Sequence, residues 1–194
     1  MFLFDESANT LVTRCDGLGI DVRSHIESGR VGVQQIDPAE LCPGELIHAV
    51  AAAADRGAAV IVIDSLNGYL NALPEERFLL IQLHELLTYL GEKGVATIIV
   101  GAQRGIIGMN MQTPADASYL ADAVVLLRYF EAGGEVHQAI SVVKKRGSAH
   151  ERSIREFRLS AEGIHVGEPL HQFRGVLTGV PVYEGSGSVV RGTS

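Results

Sequence analysis

The stretch AAVIVIDSLNGYL, residues 58–70, joins four β-branched aliphatic residues directly to Asp64. An apolar run without polar interruption is typical of a strand that is buried on both faces of a parallel sheet. The Asn67-Gly68 pair that follows indicates a turn. The stretch therefore predicts a buried strand that ends on a carboxylate.

Strands and helices alternate on both sides of this stretch. In chain order, the predicted elements are a strand at residues 2–4, a helix capped by Ser7, a strand at 31–36, a helix at 43–57, a helix at 75–92 and a strand at 96–100. Uninterrupted apolar strands that alternate with helices predict an α/β fold, in which helices flank a mostly parallel sheet.

The C-terminal part of the sequence has a different pattern. Three predicted strands follow one another closely at residues 123–129, 138–145 and 154–159, and the Gly133-Gly134 pair favours a tight turn between the first two. We expect these strands to pair antiparallel at one side of the sheet. Residues 1–183 are long enough for one sizeable core and are expected to form one domain, with 184–194 as a flexible tail.

Composition and charge limit the classes of function. With 46% apolar and 20% charged residues among 194, the sequence is typical of a compact soluble protein. Its net charge of −7 argues against broad binding to nucleic acids or anionic membranes. The most apolar run, residues 78–90, is shorter than the roughly 20 residues that span a bilayer. The two cysteines lack metal-site or disulfide spacing and suit a reducing compartment, so we expect a cytoplasmic protein.

Acidic side chains follow two of the predicted parallel strands. Asp5 and Glu6 come after the first strand, and Asp64 ends the strand of the quoted stretch. Ligands of open α/β sheets collect beyond the carboxyl ends of the strands, so these carboxylates could share one catalytic site. Aspartates in such positions also cap helices and close turns, and the spacing alone leaves both interpretations open.

Asp64 has a further possible role at its strand end. In nucleotide-hydrolysing domains, a Walker B aspartate at the end of a buried strand organises Mg²⁺ around a bound triphosphate. Such a strand is expected to follow a phosphate loop of the pattern G-x-x-x-x-G-K-[ST]. The 194 residues contain no such pattern.

A basic cluster lies at the end of the second C-terminal strand. Lys144, Lys145 and Arg146 precede Gly147-Ser148. These cations could bind phosphate or meet a nucleotide of a neighbouring subunit, because a fixed cation stabilises the charge that develops in phosphoryl transfer. The alternative is a solvated strand end.

Four segments, in this order, give the sequence a family resemblance: FLFDES, VIDSLNGYL, VVKKRGSAHERSIREF and FRGVLTGVP. Together they resemble the KaiC-like branch of the RecA-superfamily ATPases, and in particular its short bacterial members, over residues 1–183. The resemblance implies a RecA-like domain that binds ATP with Mg²⁺ between the subunits of a homo-oligomeric ring, usually a hexamer.

The resemblance also implies roles for individual residues at the nucleotide. The acidic pair, of which one member polarises the attacking water or hydroxyl, falls on Asp5 and Glu6, where the family usually has two glutamates. The Walker B aspartate that holds the metal falls on Asp64, with Ser65 beside it.

A second group of residues is implied to act at the subunit interface. The family's K-x-R-G-S segment, which reaches toward the nucleotide of the neighbouring subunit, falls on Lys144, Arg146 and Ser148. The Ser-Thr pair that the clock protein autophosphorylates falls on Ser118 and Tyr119, so Ser118 is a possible phosphorylation site. The tyrosine departs from the clock pattern.

The missing phosphate loop is the largest departure from the family pattern. In the family, this loop lies some tens of residues before the acidic pair, which here stands at Asp5-Glu6. We therefore expect the sequence to be a C-terminal portion of a longer protein, without the first strand and the phosphate loop. Backbone N–H groups and the loop lysine normally supply most of the grip on the β- and γ-phosphates, so this portion alone is expected to be inactive.

Three hypotheses for the function remain open. The first is an ATPase, with possible serine/threonine autokinase activity and a signalling protein as partner. The second is a non-catalytic module that assembles the ring. The third is a RecA-type DNA-handling protein, because residues 105–114 lie where such proteins carry a DNA-contacting loop. Arg104 is the one cation at the edge of that segment, so nucleic-acid binding is the least favoured of the three.

Overall fold

The chain divides into two compact units in a computed structural model. The structure describes residues 1–37, 39–40, 43–72, 78–101, 117–178 and 180–185. The first unit is Met1–Ala102 and the second is Gln103–Ser194.

The first unit contains the predicted parallel sheet. Its strands are β1 (Phe2–Leu3), β2 (Gln34–Gln35), β3 (Val60–Asp64) and β4 (Ala96–Val100), in the order β2-β1-β3-β4 within the described part of the chain. All three strand pairs are parallel, and Leu3 of β1 is in register with Asp64 of β3. The α/β fold is therefore confirmed, and the carboxyl ends of β1 and β3 lie side by side.

Helices connect these strands, and two of them were not predicted. They are α1 (Ala8–Gly17), α2 (Val22–Glu27), α3 (Pro43–Asp55), α4 (Leu66–Ala72) and α5 (Leu79–Glu92). The predicted cap of α1 is confirmed, because the Ser7 side chain accepts a hydrogen bond from the Thr10 N–H. The prediction of a turn at Asn67-Gly68 is wrong, since both residues lie inside α4. Residues 75–77, where α5 was expected to begin, lie outside the described residues.

Exposure alternates along β3 and β4 of the first unit. Ile61 and Ile63 of β3 are buried, and α5 contributes four buried leucines at helical spacing: Leu79, Leu83, Leu86 and Leu90. Val60, Ile98 and Val100 are instead 52%, 54% and 40% exposed. The expected burial of these strands on both faces is therefore wrong for β3 and β4.

The second unit is an antiparallel sheet. Within the described residues its order is β5 (Ala123–Ala132), β6 (Glu135–Lys145), β7 (Arg155–Ser160) and β8 (Gly163–Pro169), and a separate short pair joins β9 (Phe173–Arg174) to β10 (Val182–Tyr183). The antiparallel pairing is confirmed, but these strands form a sheet of their own rather than extending the parallel one. The predicted tail lies outside the described residues from 186 onward.

Candidate functional site

The carboxyl ends of β1 and β3 bring four predicted site residues to one edge of the parallel sheet. We call Asp5, Glu6, Asp64 and Ser65 the strand-end cluster. The Phe4 N–H donates to the carbonyl oxygen of Asp64 at 2.7 Å, which continues the β1–β3 pairing up to the first acidic residue. The chain positions of these residues are far apart, and the parallel register is what makes them neighbours.

Ser65 links the two strand ends. Its hydroxyl donates to Asp5 Oδ2 at 2.5 Å and accepts from the Gly68 N–H, with 3.2 Å between nitrogen and oxygen. The residue is 3% exposed. The second bond caps the first turn of α4, which explains why a helix begins here although Asn67-Gly68 favours a turn. The Asp64–Ser65 peptide bond is cis.

Close packing behind the cluster requires a glycine at position 68. A Cβ atom on Gly68 would lie 2.4 Å from Cβ of Phe4, which is well inside van der Waals contact. Gly68 therefore lets α4 approach the end of β1, next to the acidic pair. In the sequence, this glycine indicated a turn, whereas in the structure its missing side chain allows a helix to pack.

Glu6 forms an ion pair with Arg14 of α1. The Glu6 side chain is 20% exposed and the Arg14 side chain is 54% exposed. Asp5 and Glu6, although adjacent in the chain, thus bind different partners: Asp5 binds Ser65 and Glu6 binds Arg14. Arg14 was not among the predicted site residues, and its position in the last turn of α1, two turns beyond Glu6, is the one sequence signal that pointed to it.

The environment of Asp64 favours its neutral form. Burial raises the pKa of the Asp64 carboxyl above its usual value, and the charge on Glu6 raises it further. Arg14 acts in the opposite direction, and Asp5 adds a smaller increase. A partly buried carboxyl beside two other acids is stabilised as an anion when a cation comes close to it.

The donor set of the cluster fits a magnesium ion that is shared with phosphate. Mg²⁺ prefers oxygen ligands and is usually bound through one or two carboxylates together with substrate phosphates. Asp64 offers a partly exposed carboxylate, whereas the Ser65 hydroxyl is buried and hydrogen-bonded to Asp5 and Gly68. Among the described residues, no group of three or more histidine, cysteine or acidic side chains is arranged to hold a metal. Such an ion would thus take most of its ligands from phosphate oxygens and water rather than from the described residues.

The basic cluster of the second unit contacts a neighbouring turn. Lys144 Nζ donates to the Ser118 carbonyl oxygen at 2.8 Å, and Arg146 Nη2 donates to that of Tyr119 at 2.5 Å. Arg146 also pairs with Asp122 at 3.6 Å. Ser118 lies in a 3-10 turn, Ala117–Tyr119, and Ser148 is exposed beyond the basic residues. The two cations are therefore hydrogen-bonded to the turn that carries the predicted phosphorylation site.

Comparison with known proteins identifies the family. A family model described as "ATPase: KaiC" matches residues 1–171. The chain belongs to the KaiC ATPase family. All the predicted site residues of both units lie inside the matched region, and the two sheets are consistent with the RecA-like fold of a KaiC-type domain.

Individual members of the KaiC family cover the chain to different extents. The circadian clock protein KaiC3 of Synechocystis sp. is 28% identical over 194 residues, which are 98% of this chain and 38% of that protein. The circadian clock oscillator protein KaiC of Thermostichus vulcanus is 36% identical over 75 residues, 39% of this chain and 14% of its own length. KaiC of Synechococcus elongatus is 28% identical over 121 residues, 62% of this chain and 23% of its own length. The chain spans less than two fifths of these relatives.

Two further sequence predictions concern a DNA-contacting segment and membrane-spanning helices. The possible DNA-contacting segment at residues 105–114 lies outside the described residues. In the described part of the chain, every helix is too short or too polar to cross a bilayer.

Proposed function

We propose that this chain is the portion of a KaiC-type ATPase that carries the catalytic carboxylates and the residues of the subunit interface. The complete protein hydrolyses ATP with Mg²⁺ in a hexameric ring in the cytoplasm. The observation that carries the proposal is the strand-end cluster: the parallel register of β1 and β3 sets three carboxylates side by side within a KaiC family match. The raised pKa of Asp64 supports it, since a perturbed carboxyl at the ligand-binding end of a sheet is typical of functional sites.

Each residue of the cluster has a distinct proposed task. Asp5 and Glu6 orient and deprotonate the attacking water, because a carboxylate within hydrogen-bond reach of water acts as a general base. Asp64 holds the metal, with Ser65 fixing the strand end on which Asp64 stands. A bound Mg²⁺ neutralises the charge that develops on the phosphate oxygens. Lys144, Arg146 and Ser148 act on the nucleotide of the adjacent subunit.

Binding of the triphosphate requires a phosphate loop, which the 194 residues do not contain. We propose that the complete open reading frame supplies it, and that these 194 residues alone bind Mg-ATP weakly. Titration of the chain with a fluorescent ATP analogue tests this, with Asp64→Asn as the control for binding through the metal. Micromolar affinity that is lost in Asp64→Asn would contradict the proposal.

The proposed roles are tested in the full-length protein with Glu6→Gln. A carboxylate that orients water acts mainly in the transition state, so we expect kcat to fall at least about 100-fold while the affinity for ATP stays within about two-fold. An equal loss of turnover and of affinity would indicate a structural role for Glu6.

A non-catalytic ring-assembly module is the second candidate. It is favoured by the hydrogen bonds that Lys144 and Arg146 make to backbone carbonyls of their own unit, since cations engaged in this way can serve structure alone. A ring that assembles from the full-length protein without any ATP turnover would support this candidate. Turnover that depends on Glu6 would exclude it.

Autophosphorylation at Ser118 and a signalling protein as partner are further proposals. Transfer of labelled phosphate to the wild type but not to Ser118→Ala tests the first of them.

A further inference from the structure

Arg14 lies at a place where the strand-end cluster has an excess of negative charge. Asp5, Glu6 and Asp64 meet where β1 and β3 end, because the Phe4 N–H bonds to the Asp64 carbonyl oxygen and the Ser65 hydroxyl bonds to Asp5. Arg14 binds Glu6, whose side chain is largely buried. A carboxylate without such a partner would turn toward water or away from its acidic neighbours, because like charges at short range repel.

The position of Arg14 is set by a helix that begins directly after Glu6. Ser7 caps α1, and its hydroxyl also contacts that of Thr10 at 2.8 Å. Leu11 and Val12 are buried, so the helix is held against the rest of the first unit by its apolar side. Arg14 stands in the last turn of this helix, where a cation is also favoured by the helix dipole. The guanidinium group is thus carried to Glu6 by a rigid element, not by a loop.

We propose that Arg14 is the positioning residue of the acidic pair: it fixes the direction of the Glu6 carboxylate, while Ser65 fixes that of Asp5. The pair is therefore divided, with one carboxylate tied to β3 and the other tied to α1. The catalytic consequence rests on the proposed ATPase function. A general base that loses its orientation loses rate much more than affinity, since misplacement of a reacting group by about 1 Å can lower a rate by about 100-fold.

The test combines stability and kinetics in the full-length protein. The variants are Arg14→Ala, Arg14→Lys, Glu6→Gln and the double variant Arg14→Ala/Glu6→Gln. Arg23→Ala is the matched control, because Arg23 also pairs with an acidic residue of α1, Asp16, at 3.1 Å, but both partners are about half exposed and lie outside the cluster. Thermal unfolding reports the pair without any nucleotide, and steady-state ATPase assays report its consequence.

Non-additive effects on Tm are expected within the pair. Arg14→Ala and Glu6→Gln should each lower Tm by about 1–3 °C, and the double variant by no more than the larger single effect, because either change removes the same interaction. Arg23→Ala combined with Glu6→Gln should be additive. Additive Tm changes for Arg14 and Glu6 would overturn the inference, whatever the ATPase activity.

Kinetics then separate positioning from a structural role or nucleotide binding. Arg14→Ala should lower kcat at least about 10-fold with KM for ATP within about three-fold, Arg14→Lys should recover part of the rate, and Arg23→Ala should match the wild type. A raised KM with unchanged kcat, or unchanged kinetics, would overturn the positioning role. A wild-type protein without turnover would overturn the proposed function and the catalytic part of this inference, whereas the Tm cycle would still decide whether Arg14 holds Glu6.

Discussion

Replacement of Ser65 by alanine removes two hydrogen bonds with one atom. The lost hydroxyl donates to Asp5 Oδ2 and accepts from the Gly68 N–H, so the change removes the side-chain link between the ends of β1 and β3 and uncaps α4. Alanine keeps the Cβ atom and loses only the hydroxyl oxygen, so the void left in this 3% exposed site is the size of a single atom. The variant therefore measures hydrogen bonding rather than volume.

The two bonds contribute unequally to the free energy of unfolding. Loss of a helix cap costs about 1 kcal/mol. A hydrogen bond to a charged group contributes about 1.5–3 kcal/mol, and the lower end applies here because Asp5 is exposed to solvent. We therefore expect Ser65→Ala to lower the free energy of unfolding by about 2–3 kcal/mol, a large part of the roughly 5–15 kcal/mol that holds a typical domain together.

Urea unfolding followed by circular dichroism provides the measurement. Ser7→Ala is the matched control, because the Ser7 hydroxyl bonds to the N–H and the hydroxyl of Thr10 within α1, and its loss should cost about 1 kcal/mol. Asp5→Asn combined with Ser65→Ala completes a double-mutant cycle. If Ser65→Ala costs no more than Ser7→Ala, the link between the two strand ends contributes nothing and the reasoning is refuted.

The other predictions concern packing, pH and subunit contacts. Gly68→Ala should destabilise the fold by about 1–3 kcal/mol through overpacking, whereas Gly91→Ala in α5, where an added Cβ meets no atom within 4 Å, should stabilise it by up to about 1 kcal/mol; equal effects would contradict the close packing of α4. Because the folded-state pKa of Asp64 is raised above its ordinary 3.8, the folded state binds the proton more tightly, so stability present below pH 3.8 is lost as pH rises through the folded-state pKa. Asp64→Asn should therefore raise Tm more at pH 7 than at pH 3.5, and a pH-independent change would count against the raised pKa. In the full-length protein, rings mixed from Arg146→Ala and Glu6→Gln subunits should recover ATPase activity that neither parent has, and mixed rings that form but stay inactive would exclude action in trans.

Much of the first unit was accessible from local sequence signals. The apolar run before Asp64 and the cap at Ser7 each depend on a few neighbouring residues, and the strand and the cap both agree with the structure, although β3 is not buried on both faces. The meeting of Asp5 with Asp64 followed from a general rule, namely that parallel strands end at a common edge. Their catalytic roles stay predictions.

The contacts that complete the site depend on tertiary structure, which local patterns do not contain. Gly68 signalled a turn because glycine usually does, and only its approach to Phe4 explains a helix there. The Arg14–Glu6 pair depends on the direction in which α1 leaves its cap. The sequence predicted Lys144 and Arg146 to be either solvated charges or interface residues. It did not predict their hydrogen bonds to two backbone carbonyls, because these belong to a turn more than 20 residues away in sequence.

The strand that precedes the acidic pair, β1, is only two residues long, so the position of the pair depends on the number of residues before it. The three residues before Asp5 are all buried, which fixes the position of the chain there: Phe2, Leu3 and Phe4. One residue of a strand advances about 3.3 Å and reverses the direction of the side chain. A single residue inserted between Phe4 and Asp5 would therefore carry Asp5 past Ser65, and it would displace Glu6 together with α1 and Arg14. Over evolutionary time, the spacing between the aromatic residues and the acids should tolerate changes of length far less than the identity of the first acid, Asp or Glu.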